Sequence, residues 1–209
     1  MAGSGTRYLY LARHGEALPD QSGLTEKGRR QAELLGERLR EVPFSAFHHS
    51  PLPRAVQTAE LVGEELKTNV PLTVSEAAGD YIPAVPEDGE VPAEYAGFVV
   101  EVLAQFTPDE LEEGPLLARK ALERFTGPAD GVEDRYELLV THNFLVGYLV
   151  SQALGAPGWR WLSLNHCNAA LTVLRYTPSR PSTTLVYNDM RHLPATLRWT
   201  GFPAQALGL

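Results

Sequence analysis

Residues 8–16 read Tyr8-Leu9-Tyr10-Leu11-Ala12-Arg13-His14-Gly15-Glu16. An unbroken apolar run of this length marks a strand buried on both faces, which belongs in the middle of a sheet covered by helices on either side. Its end delivers Arg13 and His14 to the carboxyl edge of the sheet, where open α/β sheets receive their ligands. Leu138-Leu139-Val140, followed by Thr141-His142-Asn143, repeats the arrangement late in the chain. Two buried strands thus each present a histidine at the same kind of edge.

The segments around these strands alternate between helix and strand. Thr25 is suited to cap a helix running to about Arg40, with Ala32, Leu35, Leu39 and Val42 as its buried stripe. Ala46-Phe47-His48-His49 predicts a short strand. Ser50 then reads as an N-cap with Pro51 at the first helical position, which sets Arg54 in the first turn and Ala55, Ala59, Val62 and Leu66 on one face. Pro71–Ser75 predicts a strand that ends at Glu76. Residues 79–92 are rich in Gly, Pro and acidic residues and read as a loop. Residues 93–125 have helical character, with breaks expected near Pro108 and Gly114-Pro115. A helix after His142 stops near Gly155. Ala170–Tyr176 and Thr184–Tyr187 form a hairpin across a Pro-Ser-Arg-Pro turn. Helices between strands imply a mainly parallel sheet in three α/β/α layers, made mixed by the hairpin. We expect one domain over residues 1–209, with a flexible tail at 1–6 and a small helical cap inserted at about 80–127.

The 209 residues are long enough to bury a substantial core, and a hydrophobic content of 44% with 21% charged residues is that of an ordinary globular protein. A net charge of −8 argues against a nucleic-acid partner, which calls for a basic field. Cys167 is the only cysteine, so neither an internal disulfide nor a cysteine-rich metal site can form. The N-terminus lacks an apolar core behind a basic start, and the apolar stretch Phe144–Val150 is too short to span a bilayer. The expectation is a cytoplasmic protein without membrane contact. Exposed apolar positions at the edge of the Ala169–Tyr187 hairpin would suit a homodimer.

Transfer of a phosphoryl group is mostly a matter of charge and position, because negative charge spreads over three oxygens that must be met by fixed cations. Arg13 and Arg54 carry planar, permanently charged forks that match those oxygens. Arg54 in the first turn of a helix sits at the positive end of the dipole, a poor place for a cation unless an anion compensates. A neutral imidazole is a competent nucleophile when a carbonyl fixes the proton on its other nitrogen. No P-loop and no aspartate cluster for Mg²⁺ is present, and neither metal nor organic cofactor is implied.

The order and wording of Arg13-His14-Gly15-Glu16, Ser50-Pro51-Leu52-Pro53-Arg54 with Gln57-Thr58-Ala59, Glu76 and Thr141-His142-Asn143 resemble the histidine phosphatase superfamily. The likeness is to the phosphoglycerate mutase-like branch and extends from about Arg7 to about Val173. It implies that His14 becomes phosphorylated and that water then releases the phosphate. It implies phosphate binding by Arg13, His14, Arg54 and His142, and a proton donor after the third strand, where Glu76 stands and Asp80 and Glu87 are rivals. Another branch places an aspartate directly after the second histidine; here that position is Asn143, which has no titratable proton. Glu16 and Asn143 are expected at the pocket rim, Glu16 against Arg13 or Arg54. His48 and His49 are expected to pack or to line the rim, and Cys167 to be a buried apolar residue. The segment from Glu76 to Pro86 is also similar to that of mitochondrial mutase-like protein phosphatases. The expected activity is metal-independent hydrolysis of a small phosphomonoester, with a phosphoprotein as a further possible substrate. A cofactor-dependent phosphoglycerate mutase and a non-catalytic phosphate-binding scaffold are the alternatives.

Overall fold

The structure, a computed structural model, describes residues 5–201. The first apolar run is strand β1 (Arg7–Arg13), in a six-stranded sheet. On one side β1 pairs in parallel with β4 (Arg135–Thr141), which pairs in parallel with β2 (Ala46–His49), which pairs in parallel with β3 (Leu72–Val74). On the other side it pairs antiparallel with β5 (Leu171–Tyr176), which carries β6 (Thr183–Asp189) antiparallel at the edge. The expected mixed sheet is thus observed, with the hairpin as its antiparallel part.

Helices cover both faces because both faces of the central strands are apolar. Leu9, Leu11 and Leu139 point to the layer containing α4 (Pro108–Phe125) and α5 (Asn143–Ala153). Ala12, Leu138 and Val140 point to the layer of α1 (Glu26–Leu39) and α2 (Pro53–Glu65). The stripes are those expected from spacing: Ala32, Leu35 and Leu39 on α1, and Ala55, Ala59 and Val62 on α2, are all buried. Val42 and Leu66 lie beyond the ends of their helices and pack against the same core half-buried. The Thr25 hydroxyl caps α1 by accepting from Gly28 N–H at 2.9 Å.

Two boundaries differ from expectation. Helix α2 begins at Pro53, not at Pro51, and Leu52 precedes it without a side-chain cap. The Ser50 hydroxyl meets His142 Nε2 at 2.8 Å and accepts from Leu52 N–H at 3.2 Å, in a turn ahead of the helix. Helix α4 is broken from α3 (Ala93–Leu103) at Pro108, as expected, but runs unbroken through Gly114-Pro115. Its start is fixed by a reciprocal Thr107–Glu110 capping box. It lies so close to the loop that precedes α3 that a Cβ on Gly114 would stand 2.2 Å from the Ile82 carbonyl oxygen. Packing of that turn offsets the hydrogen bond that Pro115 cannot donate.

Of the tail expected at residues 1–6, residues 1–4 lie outside the described residues. Gly5 N–H donates to the Gly131 carbonyl at 3.1 Å, and Thr6 N–H to the Asp134 carboxylate at 2.8 Å. Among the described residues no helix is long and apolar enough to cross a membrane.

Candidate active site

The register of β1 against β4 sets Arg13 beside Thr141, so the next residues, His14 and His142, leave the sheet together. His14 N–H donates to the Thr141 carbonyl at 3.0 Å, and Ser50 N–H, leaving β2, donates to the Val140 carbonyl at 3.0 Å. Three strand ends converge in this way. The rings of His14 and His142 lie with centroids 5.0 Å apart.

His14 is held in one tautomer from both sides. Its Nδ1–H donates to the Gly15 carbonyl at 2.7 Å. Its Nε2 accepts from Arg54 Nε–H at 3.2 Å. A nitrogen that accepts from a guanidinium carries no proton, so Nε2 holds the free lone pair. Burial pushes the His14 pKa well below its ordinary 6.5, and the neighbouring His142 and the Arg13 and Arg54 guanidiniums push it further in the same direction. The neutral, nucleophilic form therefore dominates at neutral pH.

Thr58 holds the loop and the helix together: its hydroxyl accepts from Gly15 N–H at 3.0 Å and donates to the Arg54 carbonyl at 2.7 Å. Asn168 supports the loop from the opposite side by donating from its amide to the His14 carbonyl at 3.0 Å. Glu16 N–H is taken by Gln31 Oε1 at 2.8 Å. The approach of α1 leaves no room for side chains here, since a Cβ on Gly15 would fall 2.4 Å from the Gly28 carbonyl oxygen.

Arg54 donates from Nη2 to Asp80 at 2.7 Å, and His142 Nδ1 lies 3.6 Å from the same carboxylate oxygen. His142 is 1% exposed, and this Nδ1 has no hydrogen-bond partner among the described residues. On its other nitrogen, Nε2, it meets the Ser50 hydroxyl at 2.8 Å. Burial first, then Arg54 and Arg13, push the His142 pKa well below 6.5. It is therefore neutral in the free protein, and a bound dianion would favour its cationic form. Arg13 donates from Nη1 to the His166 carbonyl at 2.6 Å and stays charged at neutral pH, although burial lowers its pKa to about 10.

Arg13, His14, Arg54, Asp80 and Asn168 line one small pocket. Glu76 is not among these residues. It stands exposed on a 3-10 turn (Glu76–Ala78), on the wall of an adjoining cavity of about 450 Å³ to which Asp80 also belongs. Of the rival carboxylates the fold brings Asp80, and not Glu87, into contact with the cations. Glu16 lines the small pocket, but its carboxylate accepts from Thr25 Oγ1 at 3.0 Å and faces Lys27, rather than Arg13 or Arg54. Asn143 accepts from His166 N–H at 2.8 Å and braces that loop. His48 packs on Phe125, His49 Nδ1–H donates to the Ser50 carbonyl at 2.9 Å, and Cys167 is buried. Sequence reasoning missed Ser50, Thr58, Asp80 as a cation partner, and Asn168. The Ser-Pro-Leu-Pro-Arg and Gln-Thr-Ala wording contained the first two, but only the folded chain says what their hydroxyls touch. Among the described residues no group of three or more His, Cys, Asp or Glu side chains is gathered to hold a metal.

A fold of this topology with two histidines and two arginines at the strand ends defines a phosphoryl-handling protein of the histidine type. The sequence signature of the histidine phosphatase superfamily (branch 1) matches residues 9–189, and the chain belongs to that family. It is 32% identical over 181 residues to the mitochondrial serine/threonine-protein phosphatase Pgam5 of Caenorhabditis briggsae, covering 81% of this chain and 59% of that protein. It is 29% identical over 207 residues to the protein of the same name from Drosophila melanogaster, covering 94% of this chain and 68% of the relative. The chain thus spans roughly three fifths to two thirds of the length of these relatives. The fold is that of a putative alpha-ribazole-5'-P phosphatase from Escherichia coli, with a TM-score of 0.65 at 19% identity over 87% of this chain and 96% of the other. The expectation of a cytoplasmic protein is corrected by these relatives, which are named as mitochondrial proteins.

Proposed function

We propose that the chain is a metal-independent phosphomonoester hydrolase acting through a phosphohistidine on His14. The observation that carries this reading is the double clamp on His14, which keeps Nε2 unprotonated, with its lone pair accepting from Arg54 inside the pocket. The substrate dianion takes the place that the Asp80 carboxylate holds against Arg54 and His142. Arg13, Arg54 and His142 then neutralise the phosphoryl oxygens. Nε2 forms a bond to phosphorus as the bond to the alcohol oxygen breaks, and the departing alkoxide takes a proton from a carboxylic acid. We assign that proton to Glu76. It lines the adjoining cavity, and among the described residues no cationic nitrogen lies within 4.0 Å of it, whereas Asp80 is the carboxylate that the substrate displaces from Arg54. In the second half, Glu76 accepts a proton from water as water attacks phosphorus and Nε2 leaves. The substrate class supported by the relatives' names is a phosphorylated serine or threonine of a protein.

The test is hydrolysis of an aryl phosphate in EDTA, with trapping of phosphoenzyme on a rapid-quench time course. Turnover that persists in EDTA and is lost at least a thousandfold in His14→Ala, together with acid-labile phosphate on the wild type, is the expected result; general acid and nucleophile losses in such sites are of this order. Full turnover by His14→Ala overturns the proposal. For the assembly we propose pairing through the β6 edge, where Leu185 and Tyr187 are exposed; a monomer in sedimentation equilibrium at high concentration removes it.

A further inference from the structure

The small pocket and the larger cavity meet at Asp80, which lines both. Their chemistry is opposite. The pocket holds Arg13, His14 and Arg54. The cavity lining contains no lysine, arginine or histidine; it carries the carboxylates of Glu76, Asp80, Glu110 and Glu113 beside the rings of Phe106 and Phe144. Glu110 is kept ionised by the capping box, in which it accepts from the backbone N–H and the hydroxyl of Thr107. Apart from Asp80, none of these carboxylates has a cationic nitrogen within 4.0 Å among the described residues. His142 turns its buried Nδ1, which has no hydrogen-bond partner among the described residues, toward Asp80 at the junction.

We infer that the cavity receives the alcohol half of the substrate and selects phosphomonoesters whose alcohol carries a positive charge beside an apolar group. This rests on the phosphatase reading and narrows it. A cationic alcohol meets carboxylates and aromatic faces, both of which attract it. An alcohol bearing a carboxylate or a second phosphate is repelled by the same wall. The charge on the alcohol can come from a basic residue flanking a phosphoserine or from an amine of a small metabolite; the shared chemistry is the cation set a few ångströms from the ester oxygen.

The test compares kcat/KM for two phosphoserine peptides identical but for arginine or glutamate at the flanking positions. In parallel it compares phosphoethanolamine with phosphoglycolate. Each comparison is repeated in the double variant Glu110→Gln, Glu113→Gln, in which glutamine can still complete the capping box. We expect the cationic member of a pair to be preferred about tenfold or more by the wild type, and the preference to fall to about threefold or less in the variant. A tenfold ratio corresponds to about 1.4 kcal/mol, within reach of two partly screened charges. Preference among the peptides assigns the source to protein substrates, and preference among the small esters alone assigns it to an amine metabolite; either supports the inference. Hydrolysis of an aryl phosphate with no charge preference in either pair overturns it and leaves the phosphatase reading standing. A preference that the double variant keeps in full removes the cavity as its origin. Absence of turnover on every ester, the aryl phosphate included, overturns the phosphatase reading and the inference with it.

Discussion

At the scale of single residues, the fold sets two carboxylates four positions apart in different surroundings. Asp80 is paired with Arg54 at 2.7 Å, while Glu76, on the wall of the adjoining cavity, has no cationic nitrogen within 4.0 Å among the described residues. If Glu76 supplies the proton, Glu76→Gln lowers kcat on an alkyl phosphate by about a hundredfold or more and on an aryl phosphate much less, because a good leaving group needs little protonation. Asp80→Asn removes a competitor for Arg54, so it lowers KM, or the inhibition constant of inorganic phosphate, while kcat changes little. Steady-state kinetics on the two ester types checks both. The reverse pattern, with Asp80→Asn specifically disabling alkyl esters, exchanges the roles. This division was half legible in the sequence. Glu76, Asp80 and Glu87 are all acidic residues after a strand, and spacing alone cannot say which one reaches a guanidinium delivered by another helix.

At the scale of elements, α4 illustrates how packing overrides propensity. A glycine followed by a proline inside an amphipathic stretch predicts a break, and an isolated helix would obey. Here α4 continues because Gly114 lets its backbone press against the Ile82 carbonyl. Substituting alanine for glycine in a helix interior ordinarily stabilises by about 1 kcal/mol. Gly114→Ala is expected to do the opposite, lowering stability by about 1–3 kcal/mol, because the new Cβ meets fixed backbone rather than a movable side chain. A thermal melt of the purified variant decides the sign. The start of α2 departs from the local pattern too: Ser50 has the composition of a cap, but its hydroxyl serves a turn at Leu52 N–H and meets His142 from a strand end 92 residues later, and the helix starts at Pro53.

At the scale of the molecule, several buried histidines are held neutral by the fold. Burial lowers the pKa of His166 to about 3, and those of His14 and His142 lie well below 6.5. The unfolded chain takes up these protons as pH falls through about 6.5 and the folded chain does not, so stability falls with pH from there downward. At pH 5.5 each contributes a loss of about 1 kcal/mol, and the melting temperature is expected to drop by about 5–10 °C from its value at pH 7.5. Asp189, whose pKa is depressed by Arg191 and Arg38, loses its contribution only at much lower pH and does not disturb this window. Calorimetry at the two pH values tests it, and a melting temperature independent of pH would contradict the neutral assignment. The sequence by itself determined the layers and the cationic residues of the site. Hydrophobic period fixes which segments are buried strands and helices, and Arg13, His14, Arg54 and His142 sit at strand and helix ends that any such sheet brings to one edge. Only the tertiary structure decided which carboxylate pairs with Arg54, which hydroxyl meets His142, and which side chains wall the cavity beside the pocket. Those are contacts between residues far apart in the chain, set by register and by the angle at which helices cross the sheet, and local pattern carries no record of either.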